Sequence, residues 1–110
     1  MKKFILVMIL VGMTAAFVLA DSFFIRNGTG DYDFYFIYVS DSRLTEWGRD
    51  LLGRDTILEP GEILRVNTPI PIGSTTWDIR IIDEDGDSYT FWNRRIRSGE
   101  TIVVTLDDLD

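Results

Sequence analysis

The chain has no cysteine and no histidine among its 110 residues. Without thiols there is no disulfide framework and no thiol nucleophile. Without imidazole the usual catalytic triads and zinc ligand sets are missing. No P-loop or dinucleotide glycine motif occurs either. Lysine is confined to Lys2 and Lys3. Only carboxylates are left for acid–base chemistry, and a pair of them could in principle cleave a glycosidic bond. Residues 21–110 offer little room for a substrate cleft beside a core, so the sequence reads as a non-enzyme without a certain cofactor.

What the first residues hold is a leader. Lys2 and Lys3 precede a mostly apolar run from Phe4 to Leu19, and Val18-Leu19-Ala20 fits the −3 to −1 positions of a cleavage site. This pattern predicts a signal peptide over residues 1–20, cut before Asp21, and export to the periplasm or the extracellular space. The other reading is an uncleaved anchor, for which Gly12, Thr14 and the run's length are unfavourable. No cysteine follows the site, which excludes lipid attachment there. Without residues 1–20, nine arginines face 18 Asp and Glu, a net charge of −9. So acidic a domain repels nucleic acid and anionic membrane surfaces, and no stable membrane span is expected after cleavage.

Residues 21–110 read as one domain of short strands. Strands are predicted over 22–27, 33–40, 62–67, 77–83, 88–93 and 101–106. The second has apolar residues on both faces (Phe34, Phe36 and Tyr38 against Tyr35, Ile37 and Val39), which suggests a central position. The Pro60-Gly61 pair fits a type II turn, and Asp85-Gly86 a type I′ hairpin turn. Leu44, Trp47 and Leu51 recur at helical spacing, so the excursion over 41–59 is expected to hold a short helical turn that lays Trp47 over the end of the core. An exposed binding role is the other reading of Trp47. The expected fold is all-β: a small antiparallel two-sheet sandwich, with a small open barrel as the alternative. Leu44, Trp47, Trp77, Ile79, Ile81, Val104 and Phe36 are the expected core.

The stretch 77–92 is the centre of the reading, because its turn gathers Asp83, Glu84, Asp85 and Asp87 around Gly86. An EF-hand does not fit: the glycine comes two residues early, and position twelve is Arg94. A looser Ca²⁺ site using Asp83, Asp85, Asp87 and Asp108 stands against a solvated turn. If every strand reversed the one before it, the 41–61 excursion, this turn and the tail after Leu106 would share one acidic end. Arg43, Arg49 and Arg54 would share that end and could neutralise it. Arg94, Arg95 and Arg97 form the one basic cluster. It could bind an anionic group on a partner, or flank an edge strand and pair with acids. Tyr32, Tyr35, Tyr38 and Trp92 are either a sugar-binding platform or core. Asn27-Gly28-Thr29 matches a glycosylation sequon.

Three pieces occur together: Tyr38-Val39-Ser40 before Trp47-Gly48-Arg49-Asp50-Leu51-Leu52-Gly53; then Glu59-Pro60-Gly61-Glu62; then Trp77-Asp78-Ile79-Arg80 running into the acidic turn. In these segments, spanning about residues 25–92, the chain resembles a family of small exported bacterial domains with a W-G-x-D-L-L-G segment and a D-E-D-G-D hairpin. The resemblance implies no activity, because none is established for that family. The functional expectation is an exported binding or interaction module, with an envelope or extracellular protein or a glycan as its partner. The alternatives are a purely structural envelope domain and a carbohydrate-binding module.

Overall fold

The computed structural model describes residues 21–110; the leader expected over residues 1–20 lies outside the described residues. Six strands form two three-stranded sheets. One contains β1 (Ser22–Asn27), β3 (Ile63–Asn67) and β6 (Thr101–Val104) in the order β3-β1-β6. The other contains β2 (Phe34–Asp41), β4 (Trp77–Asp83) and β5 (Ser88–Arg94) in the order β2-β4-β5. The sheets do not close into a barrel, and the fold is a small β-sandwich. β1 pairs with β3 antiparallel and with β6 in parallel, while both ladders of the second sheet are antiparallel.

The core lies between the sheets. Alternation sends Phe23 and Ile25 of β1, Val66 of β3, and Ile102 and Val104 of β6 inward from one side. Phe34, Ile37, Trp77, Ile79, Ile81 and Tyr89 come from the other, and Leu52, Leu58, Ile72 and Ile96 seal the edges and ends. Each large apolar side chain buried this way contributes roughly 1.5–3 kcal/mol relative to exposure. The indole N–H of Trp77 is not left unpaired, since it donates to the Ile72 carbonyl at 2.9 Å.

Four of the seven expected core residues are buried: Trp77, Ile79, Ile81 and Val104. Phe36 is 41% exposed because the β2–β4 register shifts between Phe34 and Phe36. The extra residue, Tyr35, is a β-bulge, so Phe34 and Ile37 point inward and Phe36 and Tyr38 outward. Leu44 is 64% exposed and Trp47 half-buried, since no helical turn forms over 41–59. Gly48 and Gly53 take φ of +79° and +75°, which no right-handed helix accommodates. The carboxylate of Asp50 instead accepts the amides of Ile37 and Leu52, and Leu51 donates to the Ile37 carbonyl. The excursion is thereby tied along the outer edge of β2, ending in a bridge between Phe34 and Leu58. The two helical turns of the described residues are 3₁₀ turns elsewhere, at Ile72–Ser74 and Leu106–Asp108.

The excursion also decides chain direction. It starts at the C-terminal end of β2 and is bonded to the middle and then the start of that strand, so β3 begins where β2 began. The other four connections reverse the chain. One end of the sandwich therefore carries the loop over 28–33, the 59–62 turn, the 83–87 hairpin and the tail after Val104. Bonds from Gly28 to Val104, from Gly61 to Asn27 and from Glu84 to Asp33 hold them together. The opposite end carries Asp41, the 68–76 loop and the 95–100 turn, with Ser42 donating to Thr76 and Gly99 to Ser22. Strict reversal places Asp41 beside the acidic hairpin; the structure puts it at the far end and brings Asp31 and Asp33 to the hairpin instead. The Pro60-Gly61 turn is as expected, with Gly61 at φ +87° and Glu62 donating to Glu59 at 2.9 Å.

Candidate functional site

The acidic hairpin is built around one buried carboxylate. Asp83 Oδ1 accepts the amides of Asp85 and Asp87 at 2.9 and 3.0 Å, and Oδ2 accepts the phenol of Tyr89 at 2.9 Å. The turn is not type I′: Asp85 keeps a negative φ, and only Gly86 is left-handed, at +82°. Gly86 donates to the Asp83 carbonyl at 3.0 Å, which makes a type I turn followed by a glycine bulge. Glu84 is engaged as well, because its Oε1 accepts the Asp33 amide at 2.8 Å. Asp108 caps its own 3₁₀ turn, where its carboxylate accepts the Thr105 amide. Asp85 and Asp87 point to solvent. Among the described residues no three acidic side chains converge in a way that could hold a metal ion. The hairpin and the tail do share one end, but Asp83, Asp85, Asp87 and Asp108 are not brought together as a ligand set.

Tyr89 sits at the centre of this arrangement. Burial raises its pKa well above the usual tyrosine range, and the charge of the Asp83 carboxylate pushes the same way. Asp110 caps the outer edge of β5: its carboxylate accepts from the hydroxyls of Ser88 and Thr90 and from the Thr90 amide. Burial opposes its ionisation, but these bonds outweigh it and hold the carboxyl below its ordinary range, with help from the Arg80 charge. At the other end, hydrogen bonds from the Arg43 side chain and amide hold Asp41 far below the carboxylate range, with Thr75 assisting.

The outer face of the β2-β4-β5 sheet is a second candidate. Register places Phe36, Ile82 and Ser88 in one row, Tyr38, Arg80 and Thr90 in the next, and Ser40 beside Asp78 in the third. Phe36 and Tyr38 lie parallel, with ring centroids 6.4 Å apart. Trp92 is 63% exposed and meets Trp47 at 5.5 Å between ring centroids. The two indoles flank a shallow recess lined also by Ser40 and Asp78. A second bulge aims Trp92: two residues of β5 stand between the partners of Ile79 and Trp77, and Asn93 takes φ +53°. Asp78 fixes that bulge by accepting the Asn93 amide at 2.8 Å, and it ties in the excursion by accepting the Ser42 hydroxyl at 2.7 Å. In the middle row, Arg80 Nε is buried and meets no acceptor among the described residues.

Of the four aromatics read as a platform, Tyr38 and Trp92 share this face. Tyr35 borders a separate recess with Phe36 and Arg54, and Tyr32 belongs to the loop that Asn27 and Thr29 hold. Phe36 is among the expected core residues, and the sequence singles out neither Asp78 nor Arg80 as a site residue; the β2 bulge and the β4–β5 register reveal them. Trp47 does not cap the end of the core but leans over this face and the edge of β2. The sequon asparagine is fully buried, its amide donating to the Tyr32 and Leu58 carbonyls.

The arginine cluster lies elsewhere. Arg94, Arg95 and Arg97 line an open groove of about 810 Å³ at the end of the sandwich opposite the acidic hairpin. No helix of the described residues is long and apolar enough to cross a membrane. Comparison with protein-family models, with curated proteins and with solved structures returned no match.

Proposed function

We propose that this domain is an exported, non-catalytic binding module, and that its ligand is a glycan seated on the outer face of the β2-β4-β5 sheet. The observation that carries the reading is the exposed Trp92 held against Trp47 beside the parallel rings of Phe36 and Tyr38. Aromatic rings with one wet face suit the apolar faces of pyranose rings, and polar groups between them orient a ligand. Bulges fix the position of Phe36 and Trp92, so the platform is set before a ligand arrives. The family suggested by the W-G-x-D-L-L-G segment and the hairpin belongs to the same proposal.

A second reading has an envelope protein on the same face, favoured by its content of Trp, Tyr and Arg, which dominate protein–protein anchors. Docking through the edges of this sheet is disfavoured, because the excursion covers β2 and Leu109 and Asp110 cover β5. The test is affinity electrophoresis and a glycan array with the protein and its Trp92→Ala variant. Retardation by a polysaccharide, weakened at least about tenfold in the variant, is expected. Absence of any glycan binding, together with one envelope protein captured by the protein and not by the variant, would replace the glycan with a protein partner.

A further inference from the structure

Away from the aromatic face, the structure holds a basic groove on an otherwise acidic molecule. It is lined by Gly73, Thr75, Arg94, Arg95, Arg97 and Glu100, among others. Ile96 is buried between two exposed arginines, so the alternation of an extended segment turns Arg95 and Arg97 to the same, outer side. The one carboxylate in the lining is already engaged. Glu100 Oε1 accepts the Arg97 amide at 2.9 Å, and Oε2 stands 3.8 Å from Arg94. Arg94 is held besides over the Phe91 ring, 5.5 Å from its centroid. No carboxylate among the described residues pairs with the guanidinium of Arg95 or of Arg97. Asp21 and Asp41 stand at this end, but neither lines the groove, and Asp41 is paired with Arg43.

An unpaired arginine is not unusual in this chain, since Arg26, Arg49, Arg54 and Arg80 also lack an ion pair among the described residues. What sets this groove apart is that three arginines line it together while its single carboxylate is already engaged. We infer that this groove is an anion-binding site for a phosphate or sulfate ester, with Arg95 and Arg97 as its forks and Arg94 as a fixed charge behind them. A guanidinium fork engages both oxygens of a planar carboxylate, which leaves a second fork no oxygen of its own. A tetrahedral ester presents three outer oxygens and can accept from two forks at once. At about 810 Å³ the groove also has room for the group that carries the ester. The surrounding negative charge repels anions that make no such contacts, which favours those that do.

The test is an NMR titration of the purified protein at fixed ionic strength with inorganic phosphate, glucose 6-phosphate, a sulfated disaccharide and acetate. Saturable shifts confined to the amides of residues 94–100 are expected with both esters. Acetate should bind at least about tenfold more weakly, as should the esters to an Arg95→Ser/Arg97→Ser double variant. Both arginines are exposed, so the variant should keep the melting temperature of the parent. Trp92→Ala should leave the titration unchanged, so this site and the aromatic face fail or stand separately. Absence of saturation, equal binding of acetate, or undiminished binding by the double variant would overturn the site. Inorganic phosphate binding as tightly as either ester would overturn the ester.

Discussion

The phenol of Tyr89 donates a 2.9 Å hydrogen bond to Oδ2 of Asp83, and neither side chain reaches solvent. This pair joins the hairpin turn to the core, because the other carboxylate oxygen holds the turn's amides. Removing the hydroxyl leaves a buried carboxylate oxygen without its donor. Tyr89→Phe should destabilise the fold by about 1–3 kcal/mol in a urea titration at neutral pH. The pH dependence has a definite sign. The folded state raises the pKa of Tyr89 above its ordinary value of 10.0, so it favours the neutral phenol. That contribution is full below pH 10 and is lost as pH rises above it. The alkaline loss of stability should be smaller in Tyr89→Phe than in the parent; an identical profile would refute the linkage.

The same bonding bears on calcium. An ion recruiting Asp83 would have to take its oxygens from two amides and a phenol, and Asp85 and Asp87 alone offer too few of the 6–8 oxygens that Ca²⁺ requires. Millimolar Ca²⁺ should therefore raise the melting temperature no more than Mg²⁺ at matched ionic strength. A calcium-specific rise that disappears in Asp85→Asn would reinstate the site.

The bulge at Tyr35 makes a paired prediction. Phe34→Ala should cost about 3–5 kcal/mol, because it empties a fully buried position. Phe36→Ala should cost no more than about 1 kcal/mol, although both residues are phenylalanines of one strand. Similar costs at the two positions would mean that the strand lacks the bulge.

Asn27 is a polar residue in an apolar interior. Its amide supplies donors to the carbonyls of Tyr32 and Leu58, and its Oδ1 accepts the Thr29 amide at 3.1 Å. Asn27→Ala removes a donor from each carbonyl, leaving the Thr29 hydroxyl on Tyr32 and the Phe34 amide on Leu58, and takes the acceptor from the Thr29 amide, so it should cost about 1–3 kcal/mol by chemical denaturation. A cost below about 0.5 kcal/mol would show that water replaces the amide without penalty.

The strands of this fold were legible where one face is apolar and the other is not. Trp77, Ile79 and Ile81 alternate with Asp78 and Arg80, and β4 has the limits that this pattern gives. β2 was legible as a strand but not in its facing. Six consecutive apolar residues carry no alternation, so nothing in Phe34 to Val39 marks the bulge that turns Phe36 outward. Leu44, Trp47 and Leu51 have helical spacing, but the glycines at 48 and 53 and the Asp50 carboxylate decide that segment. The course of that segment along β2 depends on bonds to Ile37 and Phe34, far away in sequence. The acidic end was misplaced for the same reason, since one connection that fails to reverse moves Asp41 to the other end. The arginine cluster was visible as a run of charge. That its only lining acid is already engaged depended on the turn that carries Glu100.

The parallel pairing of β1 with β6 has a mechanical consequence. The first and last strands lie side by side and point the same way, from Phe24 opposite Thr101 to Asn27 opposite Val104. Force applied at Ser22 and at Thr105 pulls them along their length in opposite senses, so the bonds of the ladder share the load and break together. Force applied at Ser22 and Asn67, which face each other across β1 and β3, instead peels that ladder one rung at a time. The domain should resist stretching through Ser22 of β1 and Thr105 after β6 at forces well above those that open it across β1 and β3. Single-molecule pulling through the two pairs of positions measures the difference.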